Sequence, residues 1–354
     1  MKKLKVAVIG VGNISYFHIV NYISNPATEI VAFCDINPDT LKRRGEEFGV
    51  KNLFTDYNEM FKKMPEIDIV SVCTWNNAHA PASIAALNAG KHVLCEKPMA
   101  MNAEEAKAMQ EAAIKNKRIL QIGFVRRFGN DAAVINDFAK GGNLGELYYA
   151  RASYIRRNGN PGGWFGDKAR SGGGPLFDLG VHVIDLVRYL MGNPKPLSVY
   201  GATFRKLGSR TNIKTPKIYN ATVTSKDDIC DVEDFASAII RFEGGATLNV
   251  EAGFSLNLGE DETNIAIYGT KGGVKLDPQF KLYTEMNDYL ADVSIAGDTA
   301  FDFDGAFKTE LYAFIDAVKG DAPVLATPED GVWLMKILDA IYRSAETGHE
   351  VVID

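Results

Sequence analysis

The sequence contains few cysteines, no long apolar run and no surplus of basic residues. Its four cysteines (Cys34, Cys73, Cys95 and Cys230) stand singly, with no C-x-x-C pair. Cysteines used in this way are typical of a reducing compartment, and we expect a cytoplasmic protein. No stretch approaches the roughly 18 apolar residues of a membrane span. The formal net charge of −6 leaves no basic surplus to neutralise phosphates. We therefore expect neither a nucleic-acid nor a membrane partner.

The length and the hydrophobic pattern indicate two domains. A chain of 354 residues exceeds the size at which one core usually stops growing. Up to about residue 124, short apolar runs alternate with amphipathic segments. Strands are predicted at residues 6–9, 29–34, 67–74, 92–94 and 119–124, and helices at 14–24, 38–48, 78–89 and 103–115. This alternation predicts a Rossmann-type, doubly wound parallel sheet over residues 1–124.

Longer strands with alternating polarity follow. They are predicted at residues 147–156, 198–203, 235–242, 246–255 and 263–268, with one helix at 175–191. Residues 125–354 are therefore expected to form a second α/β domain with a large open, mostly antiparallel sheet. Helical patterns at 307–319 and 328–346 close the chain, and this end is a candidate to pack back on the first domain. The stretches 205–230 and 280–305 are polar and carry no clear assignment.

A glycine loop lies between the first strand and the first helix. Gly10 suits the tight turn of a dinucleotide fingerprint, and Gly12 lets the backbone approach a pyrophosphate. Asn13 and Ile14 then open a helix whose free N–H groups bind the anion. Ser15 replaces the usual third glycine and is small enough for close helix–strand packing. The loop predicts a nucleotide cofactor.

Asp35 ends the second predicted strand, about 20 residues after this loop. A carboxylate there accepts hydrogen bonds from the ribose 2′-hydroxyl of NAD and repels the 2′-phosphate of NADP. NAD is therefore the expected cofactor and NADP the less favoured one. The alternative is that Asp35 only caps the helix that begins near Pro38. Arg43 and Arg44, which lie downstream, would weaken the preference against NADP.

Lys97 is the first candidate for chemistry. The segment Glu96-Lys97-Pro98 ends the predicted strand at 92–94, at the carboxyl edge where open α/β sheets bind ligands. A lysine at this place stabilises negative charge that develops on a substrate oxygen. The alternative is an ordinary solvated lysine, against which the stiffness of Pro98 counts.

Asp178 and His182 form the second candidate pair, within GGGPLFDLGVHVID at residues 172–185. Their i, i+4 spacing places them on one helical face. A histidine can take a hydroxyl proton, and a carboxylate beside it orients the ring and raises its basicity. A surface pair or a structural histidine would show the same spacing. A zinc site is not expected, because no third ligand lies at a suitable spacing.

Together, these motifs resemble the glucose–fructose oxidoreductase/inositol 2-dehydrogenase (Gfo/Idh/MocA) family over nearly the whole chain. The matching segments are GVGNIS at 10–15, TWNNAH at 74–79, EKP at 96–98, GFVRRF at 123–128 and the segment at 172–185. The resemblance implies the two domains described above. It also implies a homodimer or homotetramer formed through the exposed face of the second sheet.

The resemblance also implies roles for individual residues. Lys97 is similar to the family lysine near nicotinamide and substrate, and His182, oriented by Asp178, is similar to a family general acid/base. Further positions correspond to residues that line the cofactor: Thr74, Asn76, His79 and Glu96. The family often has proline where this chain has Trp75, which would alter the shape of the cofactor pocket.

The implied activity is NAD-dependent transfer of a hydride between nicotinamide and a secondary alcohol carbon of a sugar, sugar derivative or cyclitol such as inositol. In this hypothesis the substrate hydroxyl sits between Lys97 and His182. One rival is a redox-neutral, glycoside-cleaving enzyme with tightly bound NAD. A second is a non-catalytic NAD-binding sensor, against which the intact set of Lys97, Asp178 and His182 counts.

Three residues are predicted to contact substrate: Arg126, Tyr154 and Trp164. Trp164 lies in a loop, 156–168, that resembles a sugar-acting subset of the family. It either stacks on a sugar or nicotinamide ring or packs between domains. Two arginines in GFVRRF make a carboxylated or phosphorylated substrate conceivable, although an ion pair with a helix explains Arg127 equally well.

Overall fold

The computed structural model describes residues 3–210, 212–214, 217, 219–221, 228–277 and 279–354. The chain divides into two compact units. The first unit comprises Met1–Val125 and Phe303–Val332, and the second comprises Arg126–Asp302 and Trp333–Asp354. The predicted domain limits of 1–124 and 125–354 remain a prediction. Among the described residues, no helix combines the length and the apolar character needed to cross a membrane.

The first unit is built on a six-stranded parallel sheet with the strand order β3-β2-β1-β4-β5-β6. This is the order of a doubly wound dinucleotide-binding fold, so the predicted Rossmann sheet is confirmed. Its strands are β1 (Leu4–Ile9), β2 (Thr28–Cys34), β3 (Asn52–Phe54), β4 (Ile69–Val72), β5 (His92–Glu96) and β6 (Leu120–Gly123). The helices between them are α1 (Ser15–Ser24), α2 (Pro38–Phe48), α3 (Tyr57–Lys63), α4 (His79–Asn88) and α5 (Ala103–Asn116).

A continuous apolar core fixes this sheet. Val8 of β1 and Phe33 of β2 are fully buried, together with Ile19 of α1, in one cluster. Apolar side chains on both faces of a strand require cover on both sides, which the flanking helices provide. The short edge strand β3 was not predicted, because its residues are exposed or half-buried and form no apolar run.

The second unit contains a nine-stranded sheet with the order β14-β13-β12-β11-β7-β10-β9-β8-β15. Its strands are β7 (Leu147–Ile155), β8 (Pro196–Phe204), β9 (Phe235–Phe242), β10 (Thr247–Gly253), β11 (Glu262–Gly269), β12 (Gly272–Asp277), β13 (Lys281–Met286), β14 (Tyr289–Val293) and β15 (Val351–Val352). Among the strand pairs that the described residues form in this second sheet, only β7–β10 is parallel. The predicted open, mostly antiparallel sheet is therefore confirmed.

The helices of the later part of the chain are α6 (Asn130–Lys140), α7 (Lys168–Ser171), α8 (Val181–Leu190), α9 (Phe303–Lys319) and α10 (Pro328–Thr347). Helix α9 belongs to the first unit, where Phe307 stacks on Phe17 of α1 with ring centroids 5.0 Å apart. Part of the unassigned stretch 280–305 forms β13 and β14. The unassigned stretch 205–230 lies partly outside the described residues.

The two faces of the second sheet differ in exposure. One face is buried, and Gly180 lies so close to Ala252 of β10 that a Cβ on the glycine would approach the alanine Cβ to 3.4 Å. The other face is open. Tyr200 of β8 lies opposite Ile239 of β9, and these side chains are 54% and 46% exposed. The sheet therefore presents an uncovered surface that carries large apolar side chains.

Candidate functional site

The glycine loop is shaped for close backbone approach. Gly10 has φ +82°, and a Cβ at this position would lie 2.6 Å from the carbonyl oxygen of Cys73, so only glycine fits. A Cβ at Gly12 would meet no atom within 4 Å, which leaves open space for a ligand beside the backbone. Ser15 turns its hydroxyl back to the Gly12 carbonyl at 2.8 Å. Asn13 and Ile14 lie between these glycines and the first turn of α1. The loop therefore fits a dinucleotide pyrophosphate.

Asp35 is bound to this loop. Its Oδ2 accepts a hydrogen bond from the Val11 N–H at 2.8 Å, and its Oδ1 accepts one from the Asn37 N–H at 2.8 Å. The cap of α2 is Asn37, whose side chain accepts hydrogen bonds from the backbone of Asp39 and Thr40. The alternative that Asp35 only caps this helix is therefore wrong. Asp35 lies at the end of β2, where a ribose-binding carboxylate is expected.

Arg44 supports the same loop from the protein side. Its guanidinium is buried and donates hydrogen bonds to the carbonyls of Val11 at 3.2 Å and Gly12 at 3.1 Å. It also pairs with Glu47 at 2.8 Å. These bonds occupy the guanidinium. The structure therefore gives no support to the prediction that Arg44 weakens the preference against NADP. Arg43 is exposed.

The TWNNAH segment follows β4. Thr74 is half-buried, and its hydroxyl donates to the Trp75 carbonyl at 3.1 Å. Asn76 is buried in a 3₁₀ turn, whereas Trp75 is 39% exposed. His79 is buried, with Nδ1 2.7 Å from the Pro98 carbonyl and Nε2 3.1 Å from the Thr74 carbonyl. His79 thus links the loop after β4 to the EKP segment, and its predicted contact with the cofactor remains a prediction.

Both ring nitrogens of His79 lie near a carbonyl oxygen, which can only accept a hydrogen bond. A neutral imidazole has only one N–H, so it can donate to only one of them at a time. Burial lowers the pKa of His79, and the hydrogen bonds to the carbonyls of Pro98 and Thr74 oppose this effect without cancelling it. The neutral ring is therefore favoured.

Glu96 is the last residue of β5 and is buried. Its Oε1 lies 2.8 Å from Nε2 of His18, and its Oε2 accepts the Lys97 N–H at 3.1 Å. Burial by itself would raise the pKa of Glu96, but the hydrogen bond and charge of His18, together with Lys97, lower it below its ordinary value. Glu96 is thus an ionised acid inside the unit. Its predicted place in the lining of the cofactor site remains a prediction.

Lys97 follows directly at the carboxyl edge of the parallel sheet, as the sequence predicted. Lys97 is half-buried, whereas its neighbours Glu96 and Pro98 are buried. The Lys97–Pro98 peptide bond is cis. The lysine is thus held by neighbours on both sides rather than extended from a mobile loop. This placement fits a charge-stabilising role better than that of a solvated surface lysine.

Asp178 and His182 differ from their neighbours in the second unit by their exposure. From residue 173 to residue 188, all of which are described, every residue is buried except these two, which are half-buried. The helix here begins with a π-helical turn, Leu176–Gly180, in which the Val181 N–H reaches back to the Leu176 carbonyl. Single π turns inside helices are frequent at functional sites. The predicted regular helix over 175–191 is therefore corrected, and contact between Asp178 and His182 remains a prediction.

The two arginines of GFVRRF are held by carboxylates of the second unit. Arg127 forms two bonds to buried Asp185, at 2.9 and 2.6 Å, so that the structural ion pair is confirmed. The Nη2 of Arg126 lies 3.2 Å from both Asp131 and Asp277. These contacts favour a structural role for Arg126, and its contact with substrate remains a prediction.

Tyr154 and Trp164 are both half-buried. Tyr154 lies on β7 opposite Ala252, on the sheet face covered by the π turn. The Arg156 guanidinium lies 5.4 Å from its ring centroid. Burial by itself would lower the pKa of Arg156, but the charge of Asp178, with Tyr154, raises it. The Trp164 ring packs on Phe165 at 4.1 Å, and both interpretations of this tryptophan remain open.

Sequence reasoning missed three residues that shape these sites: His18, Arg44 as a support of the glycine loop, and Arg156. His18 lies on the buried face of α1, and its polarity on that face was the available signal. Arg44 carried no signal, because its partners are backbone carbonyls 33 and 32 residues away. Arg156 is the first residue of the loop 156–168, and the sequence indicated no individual role for it.

Comparison with known proteins agrees with this arrangement. Residues 4–124 match the oxidoreductase family with an NAD-binding Rossmann fold, and residues 139–353 match the C-terminal α/β domain of the same family, Gfo/Idh/MocA. D-glucoside 3-dehydrogenase of Escherichia coli K12 is 34% identical over 98% of this chain and 97% of that protein. Levoglucosan dehydrogenase of Pseudarthrobacter phenanthrenivorans is 30% identical over 77% of this chain and 73% of that protein.

A solved structure shows the same fold. Levoglucosan dehydrogenase in complex with NADH and L-sorbose superposes with a TM-score of 0.84 and 26% identity, and the match covers all of both chains. The family match and the structural likeness both extend over the two units described above. The chain therefore belongs to the Gfo/Idh/MocA family of oxidoreductases, as its motifs predicted.

Proposed function

We propose that this protein is an NAD-dependent dehydrogenase that oxidises a secondary alcohol on the ring of a sugar, with D-glucosides as the first candidates. The family supports an oxidoreductase, and relatives named for D-glucosides and levoglucosan support the sugar class. A cyclitol such as inositol is the second candidate. The loop fit at Gly10 and Gly12, with Asp35 beside it, supports NAD.

The observation that carries the proposal is the exposure pattern of residues 173–188. Asp178 and His182 are the two half-buried residues in the otherwise buried stretch 173–188, so a ligand from solvent can reach them. An acid and a base that a ligand can reach are candidates for proton transfer to and from a substrate.

Each side chain then has a role in the proposal. His182 takes the proton from the substrate hydroxyl, and Asp178 keeps its ring oriented and basic. Lys97 stabilises the negative charge that develops on the substrate oxygen. When NAD is bound, its nicotinamide ring would accept the hydride. Tyr154 and Trp164 are the favoured sugar contacts, and the proposed cofactor-binding residues are Gly10, Gly12, Asn13, Ile14, Asp35, Thr74, Asn76, His79, Glu96 and Lys97.

The test is NADH absorbance with purified protein, NAD and a panel of methyl glucosides, levoglucosan, free aldoses, inositols and sugar acids. We expect NADH with a glucoside or a related pyranoside, and a much weaker signal with NADP. Silence across the panel, with NAD binding shown by calorimetry, would overturn the proposal. Consumption of a glycoside without NADH would favour the redox-neutral rival, and NAD binding without any turnover would favour the sensor.

We further propose that the protein assembles as a homodimer or homotetramer through the open face of the second sheet. The exposed pair Tyr200 and Ile239 lies on this face. Sedimentation of the wild type should show a dimer or tetramer, and Ile239→Lys should dissociate it. A monomeric wild type would contradict this assembly. A cytoplasmic location remains a prediction.

A further inference from the structure

The backbone at the start of the helix that carries Asp178 and His182 donates hydrogen bonds to a buried carboxylate, Glu233. The sequence motifs did not indicate this residue. Both Glu233 oxygens accept the Gly174 N–H, at 3.1 and 3.0 Å, and Oε1 also accepts the Leu176 N–H at 3.2 Å. The Tyr342 hydroxyl donates to the same oxygen at 2.8 Å. Glu233 is only 8% exposed. One acid thus binds two backbone donors at the start of the helix.

The glycine run before the helix is explained by this contact. A Cβ on Gly173 would lie 2.0 Å from the Tyr342 hydroxyl oxygen. A Cβ on Gly174 would lie 2.3 Å from the Glu233 carbonyl and 3.1 Å from its carboxyl carbon. Two of the glycines are therefore required because Glu233 and Tyr342 approach the backbone this closely.

Tyr342, which donates a hydrogen bond to this carboxylate, is held in its protonated form. Burial and the neighbouring charge of Glu233 raise the pKa of Tyr342 well above its ordinary value. The hydroxyl therefore keeps its proton and donates a hydrogen bond to Glu233. Burial raises the pKa of Glu233 above its ordinary value, and the hydrogen bonds from Gly174, Tyr342 and Leu176 oppose this effect. Loss of the acceptor would leave buried N–H groups without a partner.

We propose that Glu233 is a positioning residue for the reaction: its carboxylate fixes the first turn of the helix, and thereby the placement of Asp178 and His182. The residues it binds, Gly174 and Leu176, come shortly before Asp178 in the chain, and the π turn Leu176–Gly180 leads on to His182. This inference rests on the proposed function. It adds a residue that touches neither substrate nor cofactor and acts through the helix.

The first test does not depend on knowing the substrate. Amide hydrogen exchange of the full-length protein with NAD is compared for wild type, Glu233→Gln, Tyr342→Phe and Glu346→Gln. Glu346 is exposed and lines the same cavity as Glu233 and Tyr342, so it is the matched control. We expect exchange over residues 174–182 to be about tenfold faster in Glu233→Gln and slightly faster in Tyr342→Phe. Unchanged exchange in both variants would overturn the proposal.

The second test is kinetic, with whichever sugar gives the fastest NADH formation. We expect the kcat of Glu233→Gln to fall about ten- to hundredfold, because a misplacement of 1 Å has about this effect, with KM and NAD affinity nearly unchanged. In a His182→Ala background the same substitution should have little further effect, because Glu233 acts through His182. Additive losses would mean a general structural role and would overturn the proposal.

The two tests separate the failure of this inference from that of the proposed function. If no sugar is oxidised by the wild type, the proposed function fails, while the exchange comparison still decides whether Glu233 fixes the helix. If Glu233→Gln does not fold, Tyr342→Phe decides the outcome, because it removes one donor to the carboxylate and keeps the charge. A Tyr342→Phe variant with wild-type exchange and wild-type kcat would then overturn the inference.

Discussion

His18 and Glu96 form a buried pair inside the first unit, with Nε2 of the imidazole 2.8 Å from Oε1 of the carboxylate. The second ring nitrogen, Nδ1, lies 3.1 Å from the Ser71 hydroxyl. The pair joins α1 to the end of β5, where the next residue is Lys97. The backbone N–H of Lys97 donates to Glu96, so this lysine is linked through Glu96 and His18 to Ser71 in the core of the unit.

Replacement of His18 by alanine should strongly destabilise the protein. It would leave the Glu96 carboxylate buried without its partner, which typically costs about 3–5 kcal/mol. Urea unfolding measures this loss. The control is Glu59→Gln, which removes the exposed pair with Lys63 in the same unit and should cost less than about 1 kcal/mol. Equal losses in the two variants would contradict a stabilising role for the buried pair.

The Glu96 carboxylate should also make stability depend on pH in the acid range. Its pKa is lower in the folded protein than its ordinary value, so the unfolded chain takes up the proton more readily. Its contribution is complete above the ordinary pKa of about 4.3 and is lost as the pH falls through the folded pKa. Unfolding free energies of wild type and Glu96→Gln, measured between about pH 6 and pH 3, should converge toward acid. Parallel curves would contradict the assignment.

Arg44 should matter for NAD binding even though it is buried. Its bonds to the carbonyls of Val11 and Gly12 fix the glycine loop, and their loss in Arg44→Gln should weaken NAD binding about tenfold. Calorimetry provides the measurement. Arg43→Gln is the matched control, because Arg43 is adjacent and exposed. If Arg43→Gln weakened NAD binding as much as Arg44→Gln, the loop-support role would be wrong.

Much of the first unit could be predicted, because parallel strands buried on both faces leave apolar runs separated by helical patterns. Val8 and Phe33 belong to such runs, and Gly10 marks the turn between strand and helix. The partners of Arg44 and Glu96 could not be predicted, because each contact joins residues more than 30 positions apart. Local patterns carry no information on such pairs.

The second unit was harder to predict from its sequence. Strands β13 and β14 have mostly exposed or half-buried side chains, so that no apolar periodicity marks them. The π turn before His182 also has no sequence signal, since it depends on one displaced backbone hydrogen bond. Asp178 and His182 were found because polar residues interrupt an apolar helix, whereas Glu233 follows a polar stretch that conceals it.

His182→Ala should lower kcat roughly 10²–10⁴-fold, because general-base catalysis contributes about this factor. NAD affinity should stay unchanged, since the proposed cofactor residues lie in the first unit. His349→Ala, at an exposed histidine, is the control and should keep wild-type activity. Full activity of His182→Ala on the best substrate would remove His182 from the proposed reaction.

The central claim is that hydride leaves a secondary alcohol carbon of a sugar, and isotope transfer tests it most directly. Methyl β-D-glucoside deuterated at C2, C3 and C4, the carbons that bear its secondary hydroxyls, is incubated with the protein and NAD, and the NADH formed is analysed by mass spectrometry. The account predicts NADH that carries deuterium, together with a keto sugar. Unlabelled NADH would contradict hydride transfer from a secondary alcohol carbon, and a glucoside cleaved without NADH would contradict the dehydrogenase assignment itself.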